Sequence, residues 1–182
     1  MADKMTLVFV KETCHVVGAV TRRTAVPDTI GPSDVVGDVF ERHDAVSGGS
    51  RVQIEVDALK TANVPLALDV IVDPTSYAVV DNQPKFLLRF AIGSEPSVNV
   101  TATGITVHSV PLASDPTKVW VHVDGGNNVH AAYSTQVRAK SPSDPSGAAE
   151  EATLTFHWDP GTYTIFTLIQ GYAPLAIATT TI

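Results

Sequence analysis

Two triplets pair an imidazole with a carboxylate two residues apart: His122-Val123-Asp124 and His157-Trp158-Asp159. On an extended strand, residues two apart share a face, so each triplet sets a nitrogen donor beside an oxygen donor. Brought onto one surface, His122, Asp124, His157 and Asp159 suit zinc or another transition metal, and so a metal-dependent enzyme. The competing reading is structural. Each Asp opens a turn, where its side chain bonds nearby backbone amides. The flanking residues, Val121 and Val123 or Phe156 and Trp158, are core candidates, which leaves both histidines on the wet face. The structural reading is preferred here, and no cofactor is expected.

Trp120 lies two residues before His122, on the same strand face, which is otherwise polar. It is the best candidate for an exposed ring, and with His122 it makes a possible sugar platform. Aromatics are only 7% of the chain, so most are needed in the core.

Other chemistry is thinner. Arg42-His43-Asp44 precedes Ser50, but neither Gly48-Gly49-Ser50 nor Gly93-Ser94 supplies the G-x-S-x-G frame of a hydrolase nucleophile. There is no G-x-x-x-x-G-K phosphate loop and no dinucleotide fingerprint after a strand. Glu150 and Glu151 sit in a polar segment and read as solvated. Cys14, the one cysteine, adjoins His15, yet neighbours on a strand point to opposite faces, which discounts a Cys-His dyad.

Composition bounds the rest. The chain has 182 residues, 44% of them hydrophobic and 17% charged, enough to build a core without disulfides. Val, Ile and Thr suit pleated strands. A net charge of -7 without a basic run argues against nucleic acid. No segment approaches the roughly 18 apolar residues of a membrane helix. The amino-terminal MADKMTLVFVKE has too short an apolar run for a signal peptide, so cytosolic synthesis is expected, with incorporation into a particle as an open route.

The elements that must position these residues read as strands. Met5–Val10, Cys14–Thr21, Arg51–Val56, Leu66–Val72, Tyr77–Val80, Lys85–Ile92, Val98–Thr103, Ile105–Val110, Lys118–Val123, Val129–Ala139 and Leu175–Ile182 are short apolar or alternating runs between turn residues. Ser33–Val46 is ambiguous between a short helix over 33–44 and a loop with a short strand. Ala152–Ile169 reads as two strands about a tight turn at Asp159-Pro160-Gly161. Lys140–Glu151 is the longest polar segment and is expected to be an exposed, mobile loop. The fold class is all-β, an antiparallel sandwich of immunoglobulin-like or jelly-roll-like type. It is taken as one domain over 1–182, the alternative being a β domain over 1–92 and a second over 93–182.

The stretch Pro160-Gly161-Thr162-Tyr163-Thr164-Ile165 resembles the late strands of immunoglobulin-like β-sandwich modules, where P-G-x-Y leads into the penultimate strand. The resemblance covers six residues and lacks the buried Trp between paired cysteines. It implies structural roles for Gly161 and Tyr163, with the tyrosine hydroxyl bonding back to the backbone in a tyrosine corner. It also implies roughly seven strands from about Pro96 onward.

The uncharged terminal strand Leu175–Ile182 and the run Thr6–Val10 each lie either inside a sheet or at an edge that a neighbour covers. The central placement is the simpler expectation for the terminal strand. With no assembled catalytic motif, the leading expectation is a non-enzymatic structural or interaction module. It would be a homo- or hetero-oligomeric subunit of a shell, tail or capsid-associated type. A carbohydrate-binding module and a metal-dependent enzyme are the alternatives.

Overall fold

A computed structural model describes residues 4–21, 31–36, 39–43, 51–112, 114, 116–125, 129–138 and 150–182, with the backbone alone at 36, 39–43, 51, 129 and 130. In chain order the elements are β1 (Lys4–Val10), β2 (Val16–Thr21), α1 (Ser33–Val36), β3 (Val39–His43), β4 (Arg51–Glu55), β5 (Leu59–Pro65), α2 (Leu68–Val72), β6 (Tyr77–Val80), β7 (Gln83–Phe86), β8 (Ser97–Thr101), β9 (Gly104–His108), β10 (Thr117–Gly125), β11 (Val129–Val137), β12 (Ala152–Thr155), β13 (Thr162–Ile169) and β14 (Ala178–Thr181). Among the described residues all the strand pairs run antiparallel. The fold is all-β, consistent with a sandwich. Among the described residues no helix is long and apolar enough to cross a membrane.

Three sheets carry the core. The amino-terminal sheet is ordered β2-β1-β5, the central sheet β11-β10-β13-β14 and the outer sheet β12-β9-β8, with β3-β4 and β6-β7 as two-stranded ribbons. Side-chain alternation explains the packing. In β1, Met5 and Leu7 point to one apolar cluster with Val16, Val64, Val70 and Val79. Val8 and Val10 point the other way, into a cluster with Val52, Ile54, Trp120, Phe166 and Leu168. β10 and β13 repeat the device: Val119, Val121, Val123, Ile165 and Ile169 face Ile105, Val107 and Leu154 of the outer sheet. The central sheet is therefore covered on both faces, and one cluster joins residues from both halves of the chain. Each large side chain buried there contributes roughly 1.5–3 kcal/mol of transfer free energy.

Among the described residues from Ser97 onward, the seven strands β8 to β14 divide into the three-stranded outer sheet and the four-stranded central sheet. Tyr163 is the second residue of β13, the penultimate described strand, and its hydroxyl donates to the Asp159 carbonyl at 2.6 Å. Gly161 exchanges two 3.0 Å backbone bonds with Ile182, tying the corner to the chain's last residue. An aromatic ladder backs the corner: Tyr133 stacks on Phe156 at 4.4 Å, Phe156 meets Trp158 at 4.5 Å, and Trp158 meets Tyr163 at 4.4 Å.

Several expectations need correction. Among the described residues of 33–44 the helix occupies Ser33–Val36, and Val39–His43 is a strand paired with β4. Its β-branched and aromatic residues prefer that state. Leu66–Val72 is a helical turn from Leu68, not a strand; a short apolar run does not separate the two. The second strand of the Tyr77 hairpin stops at Phe86, and its turn is tightened by positive φ at Asp81 (52°) and Asn82 (56°). Ala152–Ile169 is no hairpin: β12 pairs with β9 and β13 pairs with β10 and β14, so the chain changes sheets at the corner. β1 is central in its sheet, but the terminal strand β14 is an edge of the central sheet rather than an interior strand. Asp44–Ser50 and most of the polar segment over 140–151 lie outside the described residues.

Candidate functional site

β10 holds the residues of interest because it pairs along most of its length, with β11 on one side and β13 on the other. Alternation sends Trp120, His122 and Asp124 to the face opposite the three valines. That face is not wet. β1 and β4 cover it, so Trp120 is 2% exposed and His122 1%. The expectation of an exposed Trp120 ring and a solvated His122 is overturned. The Trp120 ring instead packs edge-on to Phe166 at 6.4 Å and lies at 21° to the His122 ring, 5.5 Å away. His157, by contrast, is exposed, as expected.

His122 and Asp124 do come together. Asp124 Oδ1 lies 2.9 Å from His122 Nε2, and Asp124 Oδ2 accepts the backbone N–H of Gln53 at 2.6 Å. The carboxylate thus joins β10 to β4. As an acceptor the carboxylate calls for a proton on His122 Nε2. Nδ1 is buried and has no hydrogen-bond partner. His157 and Asp159 follow β12 at the sheet-changing corner, and Asp159 serves there through its backbone carbonyl. Among the described residues no group of three or more His, Cys, Asp and Glu is arranged to share a metal ion.

Trp120 and His122 line the buried side of a cleft of about 340 Å³. Its exposed rim carries Lys11 and Glu12 from the β1–β2 turn, Glu55 from the end of β4 and Asp57 just beyond it. Lys11 Nζ donates to the Asp57 carbonyl, and Glu12 pairs with Lys118 at 3.8 Å. The alternation of 51–56 puts Glu55 outward, but nothing in sequence joins it to Trp120. That juxtaposition depends on how the amino-terminal strands cover the central sheet.

A second feature is apolar. Among the described residues, the large hydrophobic side chains left exposed all lie between Leu66 and Ile92: Leu66, Leu68, Val72, Val80, Phe86, Leu88 and Ile92. Val72 is 85% exposed and Ile92 100%. α2 causes part of this, since one helical turn buries Val70 while Leu68 and Val72 face outward. Elsewhere on the chain, Cys14 is partly buried, and desolvation pushes its thiol pKa up, the reverse of an activated nucleophile.

Compared with known protein families, curated proteins and solved structures, the chain has no match.

Proposed function

We propose that the chain is a non-enzymatic structural or interaction module, a subunit that assembles with copies of itself. The observation that carries the reading is that, among the described residues, the exposed large apolar side chains all lie within 66–92. Exposed apolar side chains gathered on one stretch suit a protein interface better than a solvated surface. The same stretch carries exposed Asp69, Asp73 and Asp81 together with Lys85 and Arg89. Both signs on one stretch let a two-fold-related copy match charge as well as apolar side chains. The uncharged edge strand β14 is a second route to assembly by strand addition.

At the level of family, we read residues 97–182 as an immunoglobulin-like module. The three-plus-four division of strands and the Tyr163 corner support that reading.

Light scattering during size exclusion tests the function. Wild type is expected to run above its 19.2 kDa chain mass, and the double variant Val72→Asp/Phe86→Asp at that mass. Both side chains are exposed, so the variant should fold. A wild type that stays monomeric across concentration overturns the proposal.

A further inference from the structure

We propose that the outer edge of β11 is a second joint between copies of the chain, where two β11 strands pair antiparallel about a two-fold axis at Tyr133. The inference rests on the assembly reading, because this joint unites dimers already made through 66–92. Two distinct two-fold joints close as a tetramer of two dimers.

Among the described sheet edges, β11 is the one left unguarded. It is nine residues long, and Val129–Val137 holds no Lys, Arg, Asp, Glu, Pro or Gly. The other edges are blunted in the usual ways, by shortness, charge, proline or irregular pairing. β12 and β14 have four residues and β8 has five. β5 carries Lys60 and Pro65, and the pairing of β2 with β1 is broken by a register shift. Among the described residues no strand pairs with β11 on the side away from β10. β12, whose following residue Phe156 stacks on Tyr133, is paired to β9 in the outer sheet.

The ladder fixes which backbone groups face that edge. Gln170 N–H donates to the Lys118 carbonyl at 3.0 Å, so Lys118 turns its backbone groups toward β13. Directly opposed residues alternate between exchanging two bonds and exchanging none. Gln136, opposite Lys118, therefore turns its N–H and C=O outward, and so do Ser134, Ala132 and His130. One antiparallel register uses all four: His130 meets Gln136 of the second copy, and Ala132 meets its Ser134. Its axis falls at Tyr133, the middle residue of the strand.

A second copy is the occupant because this register makes the edge complementary to itself, each outward donor meeting an outward acceptor. The side chains of Ala132 and Ser134 are small and exposed, so nothing bulky holds the strands apart. Copies with a net charge of -7 repel one another, and β11 brings no acid to the joint. One such joint is weak, since its bonds replace bonds to water. Two dimers meeting through both edges make it twice, the second time within one complex.

Light scattering during size exclusion, with every protein loaded at one concentration, tests the joint. Wild type is expected at four chain masses of 19.2 kDa, Ser134→Pro at two, and Val72→Asp/Phe86→Asp at one. Proline removes an N–H that points away from β10, the placement a strand edge tolerates. Ala132→Lys/Ser134→Lys, on exposed side chains, sets lysine against lysine across the joint and is also expected at two. A cooperative urea transition shows that each variant folds. A wild type that stops at two chain masses overturns the joint and leaves the assembly reading standing; a wild type at one overturns both. A folded lysine variant that stays at four masses, or falls to one, overturns the joint as well.

Discussion

Replacing Asp124 by Ala should unlatch the two halves of the chain where the cleft is built. Among the described residues the side chain makes two hydrogen bonds that alanine cannot replace, accepting from His122 Nε2 at 2.9 Å and from the Gln53 amide at 2.6 Å. Both involve a charged acceptor that is only 13% exposed, so solvent screens them little. Hydrogen bonds to charged groups contribute about 1.5–3 kcal/mol each, and the substitution also leaves His122 buried with neither nitrogen bonded. Because two bonds to one group are not fully additive, we expect a loss of about 3 kcal/mol. Asp124→Asn keeps one acceptor oxygen but turns an amide NH2 toward the other donor, so it should fall between, at about 1–2 kcal/mol. Urea denaturation at neutral pH, analysed by linear extrapolation with the slope checked for constancy, measures both. A loss below about 0.5 kcal/mol for Asp124→Ala is the size of an ordinary surface change and would refute the reasoning.

Three further outcomes follow from other parts of the fold. Gly104 has φ +155°, and a Cβ there would lie 2.1 Å from the Leu154 carbonyl oxygen, so Gly104→Ala should cost about 2 kcal/mol or more by parting β9 from β12; a denaturation curve matching wild type would contradict the pairing of Gly104 with Thr155. Tyr163→Phe removes the 2.6 Å bond to the Asp159 carbonyl and should lower stability by about 1 kcal/mol, while Phe keeps the ring against Trp158. The Tyr77 hydroxyl, 2.7 Å from Asp69, is the main cause holding that carboxyl below its usual pKa. A lowered folded-state pKa gives stability that is present above the unfolded value and lost as pH falls through the folded one. The stability gap between wild type and Tyr77→Phe should therefore be present at neutral pH and close in acid; a gap that widens on acidification would show the sign to be wrong.

How far the sequence carries this fold depends on which neighbour does the deciding. Val52 and Ile54 were legible as inward, because a strand with one wet face alternates cleanly, and both are fully buried. The Tyr163 corner was legible because its partner, Asp159, is only four residues away. Trp120 and His122 were misread for the opposite reason. Val-Trp-Val-His-Val is the near-continuous run of a strand covered on both faces, but one histidine on it mimics a polar face. Only the packing of β1 and β4 over the central sheet makes that face interior, and no local pattern records it. Glu55 and Asp57 could be placed outward, yet their nearness to His122 comes from the same long-range packing. Leu68 and Val72 were assigned to a strand because a short apolar run fits both periods, and the helical turn that exposes them is a tertiary outcome. The paired acids and histidines at 122–124 and 157–159 matched in sequence and not in setting: one pair is a buried latch, and the other follows β12 at an exposed corner.

Hydrogen exchange measured by mass spectrometry at low and at high protein concentration tests the assembly reading most directly. Amides between 66 and 92 should slow as concentration rises, while the outer sheet exchanges at an unchanged rate. Exchange over 66–92 that is the same at every concentration would contradict the claim that this apolar stretch is where copies of the chain meet.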